Sequence, residues 1–124
     1  RGLGDVYKRQ ARECVRHGAW LSFPGVLTFK NAERTRQALH ATPVDKILVE
    51  TDAPFLTPHP RRGKRNGPYL IAHTIRFLSE QLDWDEASCC EQLRRNTLAA
   101  YGGPWEDVHG VTPLQLPASG EETR

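Results

Sequence analysis

Lys46-Ile47-Leu48-Val49-Glu50-Thr51-Asp52-Ala53-Pro54 is the stretch that decides the fold. An apolar run leads into two carboxylates and stops at a proline, which reads as a buried strand with some helix ambiguity. Alternation along a strand puts Leu48, Glu50 and Asp52 on one face and Ile47, Val49 and Thr51 on the other. The second face is apolar enough to pack against helices. The first carries acids toward the carboxyl end, where parallel α/β folds gather their chemistry. Asp52 is therefore the candidate functional residue, with Glu50 about 7 Å behind it on the same face.

Outward from that strand the chain alternates. Ala11 to His17 reads as the end of a helix stopped by Gly18 in a left-handed conformation, and Ala19 to Phe23 as a strand ended or bent by Pro24-Gly25. Asn31 stands where it can cap a helix over 32–41, with Thr35 and Leu39 on one face, before Thr42-Pro43 breaks it. Strand, helix and strand with short connections indicate parallel crossovers. Downstream, Pro54, Pro58, Pro60 and Pro68 stiffen a loop, and Gly67-Pro68 opens a helix with Ile71, Ile75, Leu78 and Leu82 in one stripe. Asp83 or Asp85 caps a final helix, with Cys90, Leu93, Thr97 and Tyr101 on one side and Gly102-Gly103-Pro104 ending it. Residues 104–124 show no period and read as a loose tail; there is no internal repeat.

Glu50-Thr51-Asp52-Ala53-Pro54-Phe55-Leu56, followed by Arg62-Gly63-Lys64-Arg65-Asn66, resembles the last strand and following loop of the TatD-related metal-dependent deoxyribonucleases. The run from Leu21 to Asn31 resembles the preceding strand and loop, and Asn96-Thr97-Leu98 through Tyr101-Gly102 the end of the last helix. The similarity runs from about Ala11 to Gly102, and residues 1–10 look like a truncated or foreign end. The resemblance implies an α/β fold, the C-terminal part of a (β/α)8 TIM barrel. The chain has 124 residues and such a barrel takes about 250, so the barrel is expected to be incomplete here.

For function, the resemblance implies a divalent-metal-dependent hydrolase that cuts phosphodiester bonds in DNA. Asp52 matches the last-strand metal ligand of the family, with a catalytic role alongside the cation. Glu50 is expected to orient ligands, or else to sit in a structural ion pair. The companion ligands of the family, an H-x-H pair, a mid-barrel glutamate and two further histidines, are missing. This chain by itself is thus expected to be inactive. Where Gly67 stands the family usually has an acid, so any contact that acid makes is absent.

The densest positive stretch is His59-Pro60-Arg61-Arg62-Gly63-Lys64-Arg65-Asn66. Loops after the last barrel strands often grip phosphate, and Arg offers a planar fork for its oxygens. Arg62, Lys64, Arg65 and Asn66 are expected to position a nucleic-acid backbone or to brace the rim of the site; the plainer reading is a solvated basic loop. The formal charge of +2 hides an asymmetry, since residues 1–66 carry 13 Lys/Arg against 6 Asp/Glu and residues 67–124 carry 4 against 9. A basic first half suits an anionic partner.

Other functions are disfavoured by pattern. His17, His40, His73 and His109 lack ligand spacing, and His59 reads as a rim residue. Trp20, Trp84 and Trp105 do not interleave with the basic residues, so they make no stacking platform. Cys14, Cys89 and Cys90 suit a reducing compartment, with Cys89-Cys90 a half-buried helix pair. No stretch reads as a membrane span or a signal peptide, which makes a cytoplasmic location the default expectation. Two alternatives stand beside the nuclease: a hydrolase of another ester or amide on the same barrel, and a non-catalytic anion-binding piece.

Overall fold

In the computed structural model, which describes residues 3–102, the chain forms two parallel strands with helices around them. β1 (Leu21–Phe23) pairs with β2 (Ile47–Val49), matching Leu21 to Ile47, Ser22 to Leu48 and Phe23 to Val49. The helices are α1 (Leu3–Arg16), α2 (Glu33–Ala41), α3 (Ile71–Gln81) and α4 (Glu86–Tyr101). Short 3-10 turns lie at Gly25–Thr28, Val44–Lys46 and Pro68–Leu70. Among the described residues, no helix is long and apolar enough to cross a membrane.

The register puts Leu21, Phe23, Ile47 and Val49 on one side of the pair. Phe23 and Ile47 are buried there with Leu27, Leu39, Leu78, Cys89 and Leu93, and Leu21 and Val49 pack against them. This is the helix-facing side that the alternation of Ile47 and Val49 indicates. Ser22 and Leu48 share the opposite side. α3 contributes Leu78 to the core, and Ile75 and the residue just past the helix, Leu82, pack against it, three of the four residues of the predicted stripe.

Four sequence expectations shift. The first helix begins at Leu3, so residues 3–10 extend it upstream of Ala11. Tyr7, Ala11 and Val15 recur at one face; Ala11 is buried and the Tyr7 ring receives the Arg34 guanidinium of α2 at 5.3 Å. Asn31 caps nothing: Ala32 is the N-cap of α2, without a side-chain hydrogen bond. Both strands are shorter than predicted, because among the described residues each has one partner strand and the pairing stops when the chain turns. On α4 the buried stripe is Cys89, Leu93 and Asn96, while Thr97 and Tyr101 are exposed and Cys90 is half-buried. Residues 103–124, including His109, Trp105 and the predicted loose tail, lie outside the described residues.

Between the two candidate caps, Asp85 is the one used: its Oδ1 accepts from Ser88 N at 2.9 Å. The Ser88 hydrogen bonds hold the Asp85 carboxyl below its ordinary value. A depressed carboxyl stabilises the fold above its unfolded pKa and loses that effect as pH falls through the folded value. Asp85→Ala is therefore expected to lower Tm at pH 7, and the gap to the parent chain should narrow as pH falls below 3.8. A gap that stays constant with pH would show that the charge contributes nothing. Nearby, burial pushes the Cys89 thiol up to about 11, so it stays protonated and unreactive at neutral pH.

Candidate functional site

Beyond Val49 the pairing runs on for one more hydrogen bond, Glu50 N to Phe23 O at 3.2 Å. Asp52 then takes a left-handed backbone, φ 57°. Asp tolerates that region better than most residues because its short polar side chain can hydrogen-bond to nearby main chain, which offsets the Cβ clash. Phe55 N donates to Asp52 O at 2.9 Å and closes the turn. The strict alternation of Leu48, Glu50 and Asp52 is thus broken at Asp52. Leu48 is buried, whereas Glu50 and Asp52 both face solvent.

One residue clasps this turn. Asn66 Nδ2 donates to Thr51 O and to Phe55 O, each at 2.6 Å, and Asn66 N donates to Pro54 O at 3.2 Å. Its Oδ1 accepts from Gly67 N at 2.9 Å. The amide is buried and both of its donor hydrogens are taken, so Asn66 braces the rim and has none left for a phosphate. The same holds in part for Arg62, whose Nη1 donates to Thr57 O at 3.0 Å while its guanidinium sits 4.0 Å from the Phe29 ring centre. Among the described residues, Lys64 and Arg65 make no ion pair or side-chain hydrogen bond and are exposed. Of the four residues expected to position a nucleic-acid backbone or to brace the rim, Asn66 and Arg62 are therefore engaged in building the loop, and Lys64 and Arg65 are open to solvent.

The loop after β1 supports the loop after β2. Thr28 Oγ1 donates to Gly25 O at 2.7 Å and accepts from His59 N at 2.9 Å. The His59 ring meets the Phe29 ring edge-on at 6.2 Å. Arg36, from α2, gathers the carbonyls of Leu27, Phe29 and Lys30 and so fixes the ring on which Arg62 lies. Thr28, Phe29 and Arg36 were not legible as site residues, because their partners lie on other segments and leave no local pattern. At Gly25 a Cβ would stand 2.7 Å from Leu56 O, a backbone atom that cannot swing away. Gly25→Ala is expected to lower the unfolding free energy by about 1–3 kcal/mol in a urea titration. An unchanged midpoint would refute the close approach of the two loops.

Asp52 offers one hard oxygen donor suited to a divalent cation. Among the described residues no three His, Cys, Asp or Glu side chains gather to hold a metal. The chemistry of Asp52 fits one corner of such a centre, and the described residues do not complete it.

Comparison with known proteins gives the frame for that corner. The family described as TatD related DNase matches residues 6–102. The chain belongs to this family. Its relatives include the uncharacterized metal-dependent hydrolase TatD of Mycobacterium tuberculosis (strain ATCC 25618 / H37Rv), 42% identical over 95 residues, which cover 77% of this chain and 36% of that protein. Another is the uncharacterized metal-dependent hydrolase YabD of Bacillus subtilis (strain 168), 47% identical over 70 residues, covering 56% of this chain and 28% of the relative. Among solved structures, that of YjjV, a TatD homologue from Escherichia coli K12, matches with a TM-score of 0.71 at 27% identity. That match covers 78% of this chain and 38% of the solved one.

The chain thus spans between a quarter and two-fifths of the length of these TatD relatives. Its fold class is α/β, the C-terminal part of a (β/α)8 barrel, with two parallel strands among the described residues. The TatD match starts at residue 6, so the sequence similarity reaches further upstream than Ala11.

Proposed function

We propose that this chain is part of a divalent-metal-dependent hydrolase that cuts phosphodiester bonds in DNA. The observation that carries the reading is the clasped turn: Asp52 stands just past the carboxyl end of β2, in a turn whose flanking carbonyls, Thr51 O, Pro54 O and Phe55 O, each accept a hydrogen bond from Asn66. A carboxylate at the end of a barrel strand is where this architecture places catalytic groups. TatD family membership and relatives named as metal-dependent hydrolases support a cation there.

The chain's own residues would divide the work. Asp52 would supply one hard oxygen ligand and Glu50, also exposed past β2, would orient the ligand set. When bound, the cation lowers the pKa of a coordinated water toward about 7 and neutralises phosphate charge. Asn66 and Arg62 would hold the loop in shape, while Lys64 and Arg65 meet strand phosphates. Without three converging donors among the described residues, the 124-residue chain alone is expected to show no turnover.

The test is a substrate panel with the metal-loaded protein extended to the full length of its TatD relatives. DNA should be hydrolysed in preference to carboxylic-ester and amide substrates, and chelation should abolish the activity. Preferred cleavage of an ester or amide would move the reading to another hydrolase on the same barrel. DNA binding without any turnover, metal present, would leave only an anion-binding protein.

A further inference from the structure

Arg61, Lys64 and Arg65 line an open basin of about 600 Å3 together with Tyr69, Leu70 and His73. Among the described residues, none of these three cationic side chains has an ion pair or a hydrogen bond. Unpaired cations around a concavity attract a polyanion, and they do so without regard to what the phosphates carry. The adjoining tyrosine adds selectivity. Tyr69 is 77% exposed, more than any other described large hydrophobic side chain.

Its ring is nevertheless supported. A Cβ at residue 67 would lie 2.5 Å from Tyr69 Cε1, so glycine there allows the ring to rest against the main chain while most of its surface faces solvent. That stretch of main chain is tied to Asn66 through Gly67 N, and Asn66 in turn holds Thr51 O, next to Asp52. Basin, ring and Asp52 turn therefore belong to one hydrogen-bonded unit. Neither Trp20 nor Trp84 lines the basin.

We propose that this basin is a nucleotide subsite, in which Arg61, Lys64 and Arg65 hold strand phosphates and Tyr69 stacks on an unpaired base. The proposal rests on the nucleic-acid reading above and adds to it a specificity-determining residue. A base in a duplex has both faces covered by its neighbours, so a ring of this kind favours a nucleotide whose base is free. Deoxyribose and ribose strands share the required chemistry.

The experiment uses the 124-residue chain without added metal, titrated against fluorescein-labelled oligodeoxyadenosine, oligoadenosine and an abasic deoxyribose-phosphate strand of equal length. Tyr69→Ala is expected to weaken binding of the base-bearing strands by about 5- to 150-fold, as stacking contributes about 1–3 kcal/mol per base, and to leave the abasic strand unchanged. Tyr69→Phe should bind like the parent. Gly67→Ala, whose φ of −151° suits any residue, should displace the ring and give a smaller loss in the same direction. Replacing Lys64 and Arg65 together by Ala should weaken all strands and reduce the salt slope by about 1.4. Comparing the two adenosine strands identifies which sugar is preferred, with Tyr69 dependence required for either. Equal affinity of the parent for base-bearing and abasic strands overturns the proposal, as does an equal loss on both in Tyr69→Ala. Turnover is not measured, so failure of the hydrolase reading leaves this result untouched, and the reverse holds too.

Discussion

Asp52→Asn, in the protein extended to the length of its TatD relatives, is expected to lower phosphodiester turnover about 100- to 1,000-fold. Removing one charged ligand takes away roughly 3–4 kcal/mol of transition-state stabilisation, at 1.36 kcal/mol per tenfold. Asn is a sharper replacement than Ala because residue 52 has φ 57°. Asn accepts that left-handed backbone, whereas Ala adds about 1–2 kcal/mol of local strain and would confound charge with shape. Most of the loss should appear in kcat. DNA affinity should be largely spared, since it depends on Lys64, Arg65 and their neighbours. Near-normal turnover in Asp52→Asn would reduce Asp52 to a turn residue and remove the main support for the hydrolase reading.

Asn96→Ala should produce the largest loss of stability, about 2–4 kcal/mol in a urea titration of the 124-residue chain. Asn96 is buried on α4, and its Nδ2 donates to Val44 O at 2.7 Å and Ile47 O at 2.8 Å while Oδ1 accepts from Gln92 Nε2 at 2.8 Å. Truncation leaves two carbonyls unpaired at the point where β2 begins, each costing about 1–2 kcal/mol. The strand's start sets where Asp52 arrives, so the loss should reach the site as well. Asn96→Asp aims a carboxylate at those same carbonyls. Its folded-state pKa is then raised, so that variant should be most stable below about pH 4 and weaken as pH rises above it. A stability in Asn96→Ala within about 0.5 kcal/mol of the parent would show that these bonds do not hold α4 to the strand.

Much of the fold is local and so was legible. The side of β2 that carries Ile47 and Val49, the α3 stripe through Leu78, the left-handed Gly18 and the cap at Asp85 all follow from periodicity or from the backbone limits of one residue. The α4 stripe was misplaced because Cys90, Leu93 and Thr97 fit a helical period nearly as well as Cys89, Leu93 and Asn96. A polar Asn at the centre of a buried face is not counted by an apolar pattern. Its reason is the strand's carbonyls, 49 and 52 residues away in the chain.

The sequence by itself determined the alternation of strands and helices and the family to which the chain belongs, and it singled out Asp52 as the candidate acid. Only the tertiary structure decided how the turn around that acid is held. Asn66 and Arg62, both readable as phosphate ligands, turn out to serve the loop, because buried amide and carbonyl groups must find partners when the chain compacts. Lys64 and Arg65 stay open for the complementary reason: a cation in water needs no protein partner, so folding leaves it free to meet something else.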